Sequence, residues 1–199
     1  MKMKKALLLA AIISLLALTA APAVQAATPY EAYTYNYYSD AVALPAPFLP
    51  ERTVDGAGLG VGDFKLPNDF YVTKDGTVYI LDSGNNRIVV ADEHWNVIRI
   101  IDGFDNNGTP DTFGNPNGIF VSETGKIYVA DTDKRRVVVL TGQGELVKIV
   151  ENPQSEVLPA NFEFAPLKVT ADRAERIFVV ARGVYEGIMQ FNDTGEFLG

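Results

Sequence analysis

The chain has 199 residues, one histidine, no cysteine and a formal net charge of −8. An acidic balance of that size argues against nucleic acid and anionic lipid as main partners. The missing thiols exclude a disulfide framework, so stability has to come from packing or from assembly.

The first 26 residues read as a secretory signal peptide. "MKMKK" is a basic start, Ala6 to Ala21 is an unbroken apolar run, and "APAVQA" places Val24 and Ala26 at the −3 and −1 positions of a cleavage site. The alternative is an uncleaved anchor, for which the run is short of the roughly 20 residues a span requires. Removal of the leader with its three lysines leaves 173 residues and takes the net charge from −8 to −11. The remainder holds no second stretch long enough to cross a membrane. The expected location is extracytoplasmic: secreted or in the cell envelope.

Residues 27 to 50 hold five of the nine tyrosines and four prolines. Tyr33, Tyr35 and Tyr37 alternate with polar residues, the pattern of a strand with one apolar face. Two readings stand: an N-terminal arm packed along its own domain, and an aromatic patch for a polymer or the cell wall.

From residue 62 onward the chain repeats. Pro67, Gly76, Tyr79, Asp82 and Arg87 recur as Pro116, Gly125, Tyr128, Asp131 and Arg136, each at an offset of 49, and Pro166 opens a third copy 50 residues on. The copies are set at about 62–113, 114–164 and 165–199. The first contains four short apolar runs, Phe70–Thr73, Val78–Leu81, Arg87–Ala91 and Val97–Ile101, separated by turn formers. Four strands per unit, joined by tight turns, predict an all-β fold of propeller blades. No helix is expected after residue 26, and hence no phosphate-binding loop opening one.

Two stretches, "GNPNGIFVSETGKIYVADTDKRRVVVL" and the copy at 66–101, resemble the NHL repeat. The third copy departs from it, with Ala181 where the aspartate belongs and "RGVYEG" in place of a short turn. The chain looks like the front part of an exported bacterial NHL-repeat propeller protein, a kind often labelled gluconolactonase-like by fold analogy. That resemblance implies a six-bladed ring of which this chain supplies about three blades. Residues 51 to 64 resemble the closing outer strand of a last blade, and "EFLG" the fourth strand of the third. Two half-rings joining is the alternative, and a membrane anchor after Gly199 is a further expectation.

Strand alternation decides which loops share a face. One face receives brief turns only, among them the one carrying His94. The other receives "DSGNNR", "DTDKRR", "ARGVYEGI" and two long linkers, so binding is expected there. Candidate ligand-binding residues are Asn68, Asn117 and Lys168 at the channel mouth, and Arg87, Arg136, Arg182 and Tyr185 on the loops. Lys168 is placed where the earlier copies have asparagine. Asp82 and Asp131 have two readings, a ring of carboxylates for a ligand and an Asx-type turn cap balanced by Arg87 or Arg136; the repetition in register favours the cap.

"NPNGIFVSETGKIYVAD" also faintly resembles the calcium-dependent lactonase propellers, which implies a metal-ligand role for Asn117. "DNNGTPD" is rich in oxygen but misses the EF-hand spacing. His94 is the only histidine and sits in a short turn on the face of brief turns, so a Ser-His-Asp triad, a His-rich zinc site and a Cys–His pair are each excluded within this segment. Two functions therefore stand: a module without cofactor that binds a protein, peptide or glycan, and a calcium-dependent lactonase-type hydrolase.

Overall fold

A computed structural model describes residues 32–44, 48, 51–159, 161–184 and 187–199. The expected leader and Tyr185 lie outside the described residues. The chain divides into two units, Met1–Thr53 and Val54–Gly199.

In the first unit, β1 (Ala32–Tyr35) and β2 (Ala41–Leu44) form an antiparallel hairpin. Asn36 closes it: its Oδ1 accepts the amides of Tyr38 at 2.8 Å and Asp40 at 3.0 Å. This is the local competition for backbone donors that places asparagine at turns. Tyr33 and Tyr35, on one face of β1, meet edge to face with ring centroids 5.7 Å apart.

The second unit is built of successive antiparallel sheets. Blade I is β3 (Pro67–Val72), β4 (Val78–Asp82), β5 (Arg87–Ala91) and β6 (Val97–Ile101), hydrogen-bonded in sequence order. A small hairpin follows, β7 (Phe104–Asn106) with β8 (Thr109–Asp111), in a stretch read from sequence as plain linker. Blade II is β9 (Gly118–Val121), β10 (Ile127–Asp131), β11 (Arg136–Leu140) and β12 (Leu146–Val150). Blade III is β13 (Pro166–Ala171), β14 (Ile177–Ala181) and β15 (Met189–Phe191), with a fourth position marked by one bridge from Phe191 to Phe197. Among the described residues the only helical element is a 3₁₀ turn at Ser83–Asn85, and no helix is long and apolar enough to cross a membrane. Residues 51–66 form no strand. A strand exists only by pairing, and no described strand pairs with this segment.

Why three sheets hold together follows from the two-residue period of blade II. Ile127, Val129, Val138 and Leu140 point one way, into a core with Tyr79, Leu81, Ile88 and Val90 of blade I. Tyr128, Ala130, Val137 and Val139 point the other way, into a core with Val169, Ile177, Val179 and Met189 of blade III. A sheet buried on both faces reads as continuous apolar runs, which is what "IYVAD" and "RVVVL" are. Each fully buried Val, Leu or Ile contributes about 1.5–3 kcal/mol of transfer free energy. The leading face of blade I continues the pattern, with Phe70, Ile80, Val89 and Ile100 in one row across the sheet. Blades II and III approach closely at Gly118, where an added Cβ would lie 2.6 Å from the Leu167 carbonyl oxygen. Only glycine fits there.

Candidate functional site

The corners between second and third strands share one face with the linkers between blades. At the first two corners the aspartate is fully buried and does not cap its own turn. Asp82 Oδ1 accepts the amide of Lys65 at 2.7 Å, and Asp131 Oδ1 accepts that of Gly114 at 2.6 Å, each 17 residues back in the incoming linker. The second oxygen takes the Nε of the arginine five residues on: Arg87 at 2.7 Å and Arg136 at 2.8 Å. Each corner aspartate thus spends its oxygens inside the molecule, on the incoming linker and on its arginine, and Asp82 also accepts the side-chain amide of Asn85 in its own turn at 2.8 Å.

Both arginines are engaged internally, which corrects their reading as ligand contacts. Arg87 donates to the carbonyls of Val61 at 2.7 Å and Gly62 at 3.4 Å. Arg136 grips both carboxylate oxygens of Asp111, at 2.6 and 3.1 Å, donates to the Thr112 carbonyl at 3.0 Å and lies over the Phe104 ring. Such two-pronged pairing is what a guanidinium does best. The Arg136 hydrogen bond, working against burial, holds the Asp111 carboxyl well below the usual carboxylate range. Burial pushes the Asp131 carboxyl up, opposed by the Gly114 amide and Arg136. In blade III the aspartate is Ala181, and among the described residues the corner meets its linker through the backbone, Arg182 N to the Ala165 carbonyl at 2.9 Å.

The structure brings three channel-mouth candidates together. Asn68 Nδ2 donates to Asn117 Oδ1 at 3.1 Å, and Lys168 Nζ donates to the Asn117 carbonyl at 3.0 Å. Asn117 Nδ2 donates to Thr132 Oγ1 at 2.9 Å and to the Asn115 carbonyl at 3.1 Å. Sequence reading missed Asp69, whose Oδ2 accepts the Ile119 amide at 3.0 Å and pairs with Lys168 at 2.8 Å. The register of Lys168 also needs correction. It faces Val180 as Asp69 faces Leu81 and Gly118 faces Ala130, so it is the counterpart of Asp69 and not of the asparagines. Asn68 sits in a bulge between Pro67 and Asp69, and the bulge in β13 falls likewise between Pro166 and Lys168. The bulges match, so they leave the correspondence unchanged: Leu167, the residue after Pro166, holds the place of Asn68 and Asn117.

These groups do not fit a Ca²⁺ ion at Asn117. Its side-chain oxygen already accepts a hydrogen bond, and an ammonium stands against its backbone oxygen, whereas Ca²⁺ requires several unopposed oxygens. No group of three or more His, Cys, Asp or Glu suited to a metal gathers among the described residues.

Two concavities stand out among the described residues. One, of about 650 Å³, lies on the loop-rich face, lined among others by Asp133, Arg135, Asn161, Glu163 and Arg182. Arg135 Nη2 lies 3.1 Å from Glu163 Oε2, while Arg182 makes no ion pair among the described residues. The other, of about 930 Å³, lies on the face of brief turns, across all three blades. Loop length alone assigns that face no weight, because it says nothing about the hollow between blades.

A family model for the NHL repeat matches residues 64–91. No curated protein matches the chain significantly. Among solved structures, Kuenenia stuttgartiensis hydrazine synthase aligns over 76% of this chain and 38% of its own at 13% identity and a TM-score of 0.52. A putative exported protein from Bacteroides fragilis aligns over 67% and 36% at 13% identity and 0.49. The WD40 β-propeller domain of Doa1 aligns over 61% and 34% at 17% identity and 0.43. The chain spans less than half of each, and likeness at this identity is one of fold. The chain carries an NHL repeat in a β-propeller fold.

Proposed function

We propose that this NHL-repeat propeller chain is an exported binding module whose loop-rich face recognises a protein, peptide or glycan. The observation that carries the reading is the 650 Å³ cleft between the corners of blades II and III. Its walls come from loops on a rigid scaffold, the usual seat of recognition, and its volume is in the range of about 300–1,000 Å³ typical of ligand sites. Charge is available there. Arg182 is exposed and free of ion pairs among the described residues, and Asp133 and Arg135 sit on the opposite wall.

A calcium-dependent lactonase receives less support. Its metal would have to displace the ammonium of Lys168 from the Asn117 carbonyl and the Asn68 amide from its side-chain oxygen.

The test is binding of the full chain to arrays of peptides and of glycans, with Arg182→Glu as the variant. The expected outcome is a ligand that the wild type retains in EDTA and the variant loses at least about tenfold, equivalent to 1.4 kcal/mol. Calcium-dependent lactone hydrolysis, or array binding indifferent to Arg182→Glu, would overturn the proposal.

A further inference from the structure

The face of brief turns holds the larger hollow, and its chemistry differs from that of the loop-rich cleft. Its floor is aromatic. Tyr71 of β3 and Phe120 of β9 meet edge to face across the junction of blades I and II, with centroids 5.1 Å apart. Phe120 in turn lies 6.0 Å from Tyr128, giving a row of rings. Tyr79 of β4 joins the floor; it is only 8% exposed, lines the hollow, and its hydroxyl has no partner among the described residues. The buried hydroxyl left without a partner among the described residues is that of Tyr128; the Tyr79 hydroxyl is instead open to the hollow and offers a donor and an acceptor to whatever enters.

The rim is charged, yet its charges are already matched. Lys74, Glu123 and Arg173 occupy the same turn position in the three blades and form a ladder, 2.5 Å from Lys74 to Glu123 and 3.3 Å from Arg173 to Glu123. Lys126 pairs with Glu175, and Arg176 Nη2 with Asp172 at 2.6 Å. Asp75 accepts from the hydroxyls of Thr73 and Thr77. No net charge of either sign is left over to draw in an ion or a charged peptide.

Rings and hydroxyls without surplus charge suit a ligand that is uncharged, rich in hydroxyls and apolar on one face. We infer that the groove over Tyr71, Tyr79 and Phe120 is a second binding site, for a neutral oligosaccharide whose rings lie on the aromatic floor and whose hydroxyls pair with Tyr79. The hollow extends over all three blades, longer than a single sugar needs. It is separate from the loop-rich cleft and does not depend on the function proposed for it.

The experiment is isothermal titration of the full chain with two neutral tetraoses, one of glucose and one of N-acetylglucosamine, at low and high salt. One or both bind in the millimolar range or tighter, with an affinity insensitive to salt because no ion pair forms. Tyr79→Phe, which removes one oxygen and leaves the packing, weakens binding about fivefold, the worth of one hydrogen bond of about 1 kcal/mol. Tyr71→Ala weakens it more than tenfold, with an unchanged circular dichroism spectrum as the check on folding. Absence of binding by both sugars, or affinities in Tyr79→Phe equal to wild type, would overturn the assignment. So would a cationic or anionic peptide that binds here in a salt-sensitive manner and is lost in Tyr71→Ala.

Discussion

The corner between β10 and β11 and the corner between β14 and β15 stand at the same place in neighbouring blades and are held in different ways. At the first, Asp131, Arg136 and Asp111 form a charged clamp that ties the blade to its incoming linker. At the second, Ala181 replaces the carboxylate, and among the described residues the tie is a backbone hydrogen bond, Arg182 N to Ala165 O. The corner of blade I is intermediate, with Asp82 clamping Arg87 but only backbone carbonyls taking the rest of the guanidinium. Where the clamp is present its side chains are committed and unavailable to a ligand. Where it is dropped, the loop is longer and an arginine is left facing solvent. Structural economy and binding capacity thus trade places along one repeat.

This contrast can be broken by removing the clamps in turn. Asp82→Ala should be the most damaging, by about 3 kcal/mol in chemical denaturation, because it leaves the largely buried Arg87 with no carboxylate. Asp131→Ala should cost less, about 2 kcal/mol, since Asp111 still neutralises Arg136. Equal losses, or the reverse order, would show that the linker amides and not the guanidinium charge decide the energetics.

Acid sharpens the comparison further. Asp111 titrates below its ordinary value, held down mainly by the Arg136 hydrogen bond, so its stabilisation is complete above the unfolded carboxylate range and is lost as pH falls below that range. Asp131 is shifted up by burial and acts in the opposite sense: its contribution is present at low pH and is lost as pH rises through its folded value. Denaturation midpoints at pH 5 and pH 3 should therefore fall less in Asp111→Asn than in the wild type. A steeper fall in the variant would mean that Asp111 is not the group responsible.

The smallest effect is expected at the unclamped corner. Arg182→Ala should leave the unfolding midpoint unchanged, since this side chain holds nothing among the described residues. A large drop would mean that the third corner has a clamp of its own.

Much of this architecture was legible in the residues. The four apolar runs of the first copy coincide with β3 to β6 to within three residues at any end. Repetition of Asp82 and Asp131 pointed to a turn cap, while their Oδ1 atoms accept linker amides 17 residues back. The candidate sites were less legible. Asn68, Asn117 and Lys168 do converge, but Lys168 does so from the place that Asp69 holds in blade I, and Asp69, its partner, carries no motif. Arg87 and Arg136 look like free cations in a turn because the groups they hold lie up to 26 residues earlier.

Strands, turns, the spacing of the blades and the alternation of side chains toward a core are written in the residues. All of these depend on neighbours within a few positions, through the two-residue pleat and the chemistry of tight turns. Which charges are matched, which oxygens are taken, and the aromatic groove on the plainer face emerge from folding. Those outcomes depend on residues 17 to 50 positions apart that meet when one blade stacks on the next, and no local pattern encodes that meeting.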